Sequence, residues 1–398
     1  MGIINKMPNG GEKQPVGTIS IFSTSGSKSG YLACNGSAVS ATTYSQLAEA
    51  SKFTDGLYKT IGGSPTVSSS GAGDGYGDDY PMIGRSIITD SVIVLGGYFR
   101  RYFWYYNRAT STWSSFDTSE SVSAYYSVYT WQLGDYYYVC HGVNDRVYRS
   151  TTGLSWTNAG SCAYNPIEWG IVSVSGTNYG CVIGGGSTSG TFYKSIYNGT
   201  SSWTAITATE ITNGGSSCKF MYDSTNKRML VLISKSLYEY NPVADTCTLV
   251  ASVPGTSGNI YNGKYYIYNS SRSPIVYDIE SKTQVCSFLA HPTLTGYTSM
   301  TVCGDYVCYY DDGQAKAILL YPLKFLEENR GKTNIDTYMS VGVSCYTYNV
   351  SSPSNGGTKY IGADNEQGTM NYIDTTTIQT CLKLPTINTG GYYGYIKT

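Results

Sequence analysis

Short apolar runs recur along most of the chain, each bounded by turn-forming residues. "SVIVLGG", "YYYVCHG", "YGCVIGGG", "RMLVLIS" and "KYYIYNS" are too short for helices and rich in β-branched and aromatic residues. Such runs predict strands, some of them buried on both faces. A second pattern follows each run: a Tyr, often with Asn or Asp after it, then a turn, then another apolar or aromatic residue. The segments begin at Tyr106, Tyr148, Tyr197, Tyr240, Tyr277, Tyr321 and Tyr372, spaced by 42, 49, 43, 37, 44 and 51 residues. A period in the forties with several short strands per period predicts propeller blades of four strands. The turn falls between the third and fourth strand, and the apolar runs are the second strands. Seven repeats predict seven blades, with Tyr and Trp packed between them. A single blade cannot bury both faces, whereas a closed ring does so and leaves only short edges.

Composition agrees with an all-β chain. Gly and Tyr are abundant, at 46 and 41 of 398 residues, and only 13% of residues are charged. The net charge of −1 gives no bulk attraction to nucleic acid or to an anionic membrane. No apolar run has the length of a membrane span, and "MGIINKMPNGGEKQP" lacks the apolar centre of a signal peptide. Eleven Cys are dispersed without a CxxC pair, which reads as small buried hydrophobes in a reducing compartment. Asn35, Asn198, Asn269 and Asn349 each open an N-x-S/T pattern, expected by chance in so Ser- and Thr-rich a chain.

The two ends of the chain differ from the middle. "PVGTISIF" predicts a strand over Thr18 to Phe22. "GYLACNGSAVS" then forms a Gly-rich turn, and "TTYSQLAEA" predicts a short helix from Tyr44, with Thr43 and Gln46 spaced as a capping box. The order strand, "CNG" turn and capped helix resembles the phage tail collar domain, on Pro15, Gly17, Ile19, Gly30, Tyr31, Cys34, Asn35, Gly36, Tyr44 and Leu47. That family's closing segment matches the far end, "LKLPTINTGGYYGYIKT", at Leu384, Pro385, Ile387, Tyr395, Ile396 and Lys397. Tyr31 replaces the family's usual Trp, and "LPTI" lacks its usual Asp and Arg-Gly. The resemblance covers under a fifth of the chain and implies one α+β module split between the ends.

The expected organisation is an N-terminal arm (1–14), the first part of a collar-like module (15–66), a Gly/Ser-rich connector (67–84), a seven-bladed propeller (85–381) and the last part of the module (382–398). The Gly-Gly doublets Gly96–Gly97 and Gly184–Gly185, followed by Y-N-x-x-T-x-x-W, resemble kelch repeats. "YRSTTGLSWT" is similar to a degenerate Asp-box, with Thr152 where that motif has Asp. Folding of the split module is expected to clasp the ring without a blade shared between the ends.

Candidate chemistry is thin. His141 and His291 are the only histidines, and the acidic pairs Asp78–Asp79, Asp311–Asp312 and Glu327–Glu328 would point to opposite faces of a strand. A sialidase-like site needs three clustered Arg, whereas only Arg100–Arg101 is a pair. Cys286, His291, Cys303 and Cys308 have the wrong spacing for a zinc knuckle, and "GDGYGDD" is at best a loose oxygen-ligand loop. No catalytic residue, metal or other cofactor is assigned. Binding is the positive expectation. The loops between second and third strands carry Arg100, Arg101, Tyr102, Asn144, Asp145, Arg146, Arg272, Asp311, Asp312, Asp364 and Asn365. Planar polar groups beside aromatic faces suit neutral sugar rings.

The collar resemblance implies a phage virion protein, a short tail fibre or tail-tip component made in the host bacterial cytoplasm. Its module would attach it to other tail proteins, with a possible homotrimer, and its propeller would meet a host-surface glycan or protein. The alternatives are a structural baseplate or decoration protein and a glycan-cleaving tail enzyme.

Overall fold

The computed structural model describes residues 15–35, 38–40, 43–50, 66–68, 81–89, 91–97, 102–118, 128–141, 146–185, 190–200, 202–268, 274–287, 298–303, 306–311, 318–322, 330–331, 339–341, 350–351, 359–364, 369–374, 381–384, 386–389 and 392–398. These residues group into two compact units. The larger spans Ser64–Ile335 and Val343–Thr376, and the smaller takes in Met1–Gly63, Asp336–Gly342 and Thr377–Thr398.

Among its described residues the larger unit is all-β apart from one short helix, Thr209–Gly214, and the 3-10 turn after it. Its first five sheets are antiparallel, and each takes four consecutive strands in up-and-down order. They span Pro81–Asp117, Val128–Ser161, Pro166–Ala205, Lys219–Ser252 and Ser257–Ser287, written from the first to the last residue of their strands. The sixth contains Thr298–Cys303, Tyr306–Asp311 and Ile318–Pro322 in the same order. The seventh contains Val350–Ser351, Lys359–Asp364 and Thr369–Asp374 and is completed by Thr66–Ser68. First strands neighbour one another from the first sheet to the sixth, and Val350–Ser351 of the seventh lies beside Pro81–Ile88 of the first. This cyclic succession is propeller-like.

The apolar runs explain the stacking. Arg228–Ile233 is buried over its four central residues. Successive side chains point to opposite faces. Met229 and Val231 therefore join the core shared with the third sheet, beside Cys181, Ile183 and Phe192. Leu230 and Leu232 join the core shared with the fifth, beside Ile260, Tyr265 and Ile267. The same sharing unites Val92, Val94 and Phe103 with Val139, Tyr148 and Trp156, and Trp131 and Tyr138 with Trp169 and Val182. All five apolar runs quoted above are second strands.

The Tyr-Asn and Tyr-Asp repeat marks the turn after the third strand. The Asn107 carboxamide accepts from the amides of Ala109 and Thr110, and Asn241 accepts from those of Val243 and Ala244. Asp278 accepts from the Ser281 amide, while Ser150 does the same work in "YRSTTGLSW" by accepting from Thr152 and Gly153. The short polar side chain fixes the turn locally. The repeat's Tyr is buried at 148, 240 and 277, but Tyr197 is 67% exposed and packs between no sheets.

Two boundaries differ from the sequence reading. The first strand of the first sheet begins at Pro81, inside the segment read as connector, rather than near Arg85. Thr66–Ser68, which straddles the expected boundary between module and connector, pairs instead with Thr369–Asp374. The seventh sheet is thus shared between distant parts of the chain, whereas the repeats alone predict a ring closed without such sharing. A three-residue "TVS" strand carries too little apolar pattern to stand out beside a Gly/Ser-rich stretch.

In the smaller unit the last strand, Tyr392–Lys397, lies between Ile19–Phe22 and Tyr31–Ala33. Ala38–Ser40 pairs with Cys381–Lys383, and the Cys34 and Ile387 amides donate to the carbonyls of Gly394 and Cys34. Cys34, Leu47, Leu384 and Ile396 form its buried core, with Leu47 carried on the helix Ser45–Ala50. On the other face, Phe22 meets Tyr31 and Tyr395 edge to face, and the Lys397 ammonium lies 4.8 Å from the centre of the Tyr31 ring. A Tyr therefore suffices at this position for an edge contact and a cation–π contact.

Candidate ligand-binding face

In each up-and-down sheet, the connection from second to third strand and the exit from the fourth lie at the same end. The backbone places the described candidate residues at that end. Tyr102 and Arg146 open third strands, and Asp311 and Asp364 close second strands. The Arg146 side chain is exposed, and its strand position faces His141 on one side and Ser161 on the other. Arg100, Arg101, Asn144, Asp145, Arg272, Asp312 and Asn365 lie outside the described residues, as does His291.

The most built feature at this end was not foreseen. Tyr164, in the connection between the second and third sheets, stacks on Tyr193 with ring centres 3.5 Å apart and planes 7° from parallel. Trp203 meets Tyr164 edge-on at 5.6 Å. All three rings are half-buried. The neighbouring Tyr193 hydroxyl, with some desolvation, raises the Tyr164 pKa above the usual phenol value.

The floor under the rings is the Gly184–Gly185 doublet. A Cβ on Gly184 would come within 2.9 Å of the Trp203 ring and 3.0 Å of the Tyr164 Cβ. Gly185 has φ +85°, and a Cβ there would meet the Thr191 carbonyl at 3.0 Å and the Tyr193 ring at 3.1 Å. The doublet thus leaves bare backbone for aromatic rings to cover and turns the chain where only glycine is unstrained. The Trp203 indole donates to the Gly199 carbonyl at 3.0 Å, which fixes its ring. The available sequence signal was the doublet, which was read as a repeat motif rather than as space for aromatic side chains.

Behind the shelf, a polar cluster ties the third sheet to the fourth. The Lys194 ammonium lies 2.9 Å from the Asp245 carboxylate. That carboxylate also accepts from the Tyr240 hydroxyl at 2.6 Å and from the Thr207 amide and hydroxyl at 2.8 and 2.6 Å. Burial alone would raise the Asp245 pKa, but the Thr207, Tyr240 and Lys194 hydrogen bonds overcome it and hold the carboxyl at about 2. A similar cluster ties the fourth sheet to the fifth. Arg228 reaches the fully buried Asp223 at 3.0 Å and Glu280 of the fifth sheet at 2.9 Å. Both clusters pair each charge with its opposite, which is how buried charge is tolerated.

Among the described residues, no group of three or more His, Cys, Asp or Glu could hold a metal ion. Cys286 is a buried thiol, and Cys303 and Cys308 lie on strands of the sixth sheet. Cys34, Cys140, Cys162, Cys181, Cys218 and Cys286 are buried, and Cys247 is partly buried.

No protein-family model and no curated protein sequence matches the chain. Among solved structures it is similar to YCF48 bound to D1 peptide, at TM-score 0.46 and 12% identity over 79% of this chain and 97% of that one. It is also similar to the β-propeller domain of Myceliophteria thermophila Cps50 (Swd1), at 0.48 and 8% over 74% and 98%. The C-terminal WD40 domain of Sif2 gives 0.49 and 10% over 80% and 99%.

Proposed function

We propose that the chain is a non-enzymatic phage tail-fibre or tail-tip protein that recognises a host-surface structure, first of all a glycan. On this reading the larger unit is a seven-bladed propeller that presents its second-to-third connections, and the smaller unit is a collar-like module that joins the particle. The observation that carries the reading is the smaller unit's core. The motif residues Cys34, Leu47, Leu384 and Ile396, matched at opposite ends of the chain, bury one another. The aromatic side chains of Tyr164, Tyr193 and Trp203, gathered at one end of the third sheet, support a binding role.

The test has two arms. Labelled full-length protein is applied to intact cells of a panel of bacterial strains, and antibody against the chain is used to locate it on phage particles. Binding to a subset of strains together with label at the tail is expected. Label on the particle without cell binding would favour a structural decoration role. Release of reducing ends from host polysaccharide would favour an enzyme.

A further inference from the structure

We infer that Tyr164, Tyr193 and Trp203 form a stacking subsite for an uncharged sugar ring, whose hydroxyls meet those of Tyr164 and Tyr193. This rests on the proposed recognition of a host glycan and specifies where, and for what chemistry, the ring is held.

A face-to-face sandwich is not the arrangement two aromatic rings choose freely, because their electron-rich faces repel. Here the rings are held together over the bare Gly184–Gly185 backbone, with Trp203 edge-on to Tyr164. Where a face of such a pair meets solvent, it carries negative potential. The C–H face of a pyranose carries weakly positive hydrogens and is complementary to it. Each phenol hydroxyl can both donate and accept a hydrogen bond. That supply of donor and acceptor matches sugar hydroxyls, which are both.

The electrostatics select against charged ligands. The one cation on the Tyr193 strand, Lys194, points to the opposite face and is held by Asp245. Single-stranded nucleic acid also stacks on aromatic rings but needs a basic groove along its backbone. The whole chain has 26 Lys and Arg against 27 Asp and Glu. Arg146, at the same end of the neighbouring sheet, adds a planar donor suited to hydroxyl oxygens.

The experiment uses the full chain on an array of neutral oligosaccharides built from glucose, galactose and N-acetylglucosamine, with sialylated and uronate-containing counterparts and a proline-rich peptide set. Hits are titrated by calorimetry. Neutral glycans are expected to bind, and Tyr164→Ala is expected to weaken them on the order of tenfold, as for loss of a central aromatic anchor. Tyr164→Phe keeps the ring and its packing and is expected to weaken binding by a few-fold, consistent with loss of a hydroxyl contact. Tyr197→Ala, which removes an exposed tyrosine at the opposite end of the third sheet, is expected to leave binding unchanged. If neutral glycans bind the wild type and both Tyr164 variants equally, the subsite is refuted while glycan recognition stands. Preference for charged glycans or for proline-rich peptides also refutes it. If the wild type binds neither cells nor any glycan, the recognition reading itself fails.

Discussion

The Asp245 cluster allows a stability prediction with a defined size and pH dependence. Asp245→Asn is the informative change because Asp245 has φ +57°, a left-handed conformation that Asn tolerates as well as Asp. The turn is kept and only the charge is lost. In the folded protein the carboxyl sits at about 2, against 3.8 for an ordinary Asp. Nearly two decades at 1.36 kcal/mol each give an upper value of about 2.5 kcal/mol for the ionised form. The side chain is 19% exposed, so solvent screening lowers this to roughly 1–2 kcal/mol. Substitution also leaves the 8%-exposed Lys194 ammonium facing a neutral group, and breaking a buried pair costs about 3–5 kcal/mol when burial is complete. The combined expectation is a loss of about 2–4 kcal/mol.

The sign of the pH effect follows from the depressed folded value. The stabilisation is fully present above about pH 4 and is lost as pH falls toward 2. Urea unfolding of wild type and variant at pH 7, 4, 3 and 2.5, followed by hydrogen exchange at the third and fourth sheets, measures it. The difference is expected to be constant from pH 7 to 5 and to shrink below pH 4. Adding Lys194→Met to Asp245→Asn is expected to recover part of the loss, because the orphaned charge is removed. A difference below about 0.5 kcal/mol, or one independent of pH, would refute the assignment of this cluster as an inter-sheet tie.

Other predictions are as direct. Ile396→Ala, at a fully buried site of the smaller unit, is expected to cost about 2–5 kcal/mol and to lower the calorimetric transition of that unit. Gly184→Ala is expected to displace Trp203 or Tyr164 and to cost about 1–3 kcal/mol, visible as a changed tryptophan emission spectrum. Tyr222→Phe removes a 2.6 Å hydrogen bond to the Ile171 carbonyl across the third and fourth sheets and is expected to cost about 1 kcal/mol in urea unfolding. Val67→Pro is expected to speed amide exchange along Thr369–Asp374, because the partner strand can no longer be held in place.

What the sequence made legible is what is repeated and local. "RMLVLI" reads as a strand buried on both faces because its period-two alternation sends Met229 and Leu230 to different neighbours, both apolar. The Asx turns after Tyr106, Tyr240 and Tyr277 are legible because the side chain that makes the turn is two or three residues from the amides it binds. What escaped is set by tertiary contact. Thr66–Ser68 is a strand only because Thr369–Asp374 offers it an edge. Tyr164 sits in a polar connection, and nothing local shows that two glycines twenty residues later leave room for its ring. Lys194 and Asp245 are 51 residues apart, and their pairing depends on how the third and fourth sheets stack. Among the described residues, the candidate face was legible as a set of loop ends but not as a shelf.

The position of Tyr392–Lys397 between two early strands has a consequence for biosynthesis. The Tyr395 hydroxyl donates to the carbonyl of Gly26, 369 residues earlier. At roughly 5–20 residues per second, the early strands emerge from the ribosome tens of seconds before their central partner exists. The sheets of the larger unit can form successively during that interval, whereas the smaller one has to wait. A truncated translation product would thus carry folded sheets but no completed smaller unit, and on the proposed reading it could not be built into a particle.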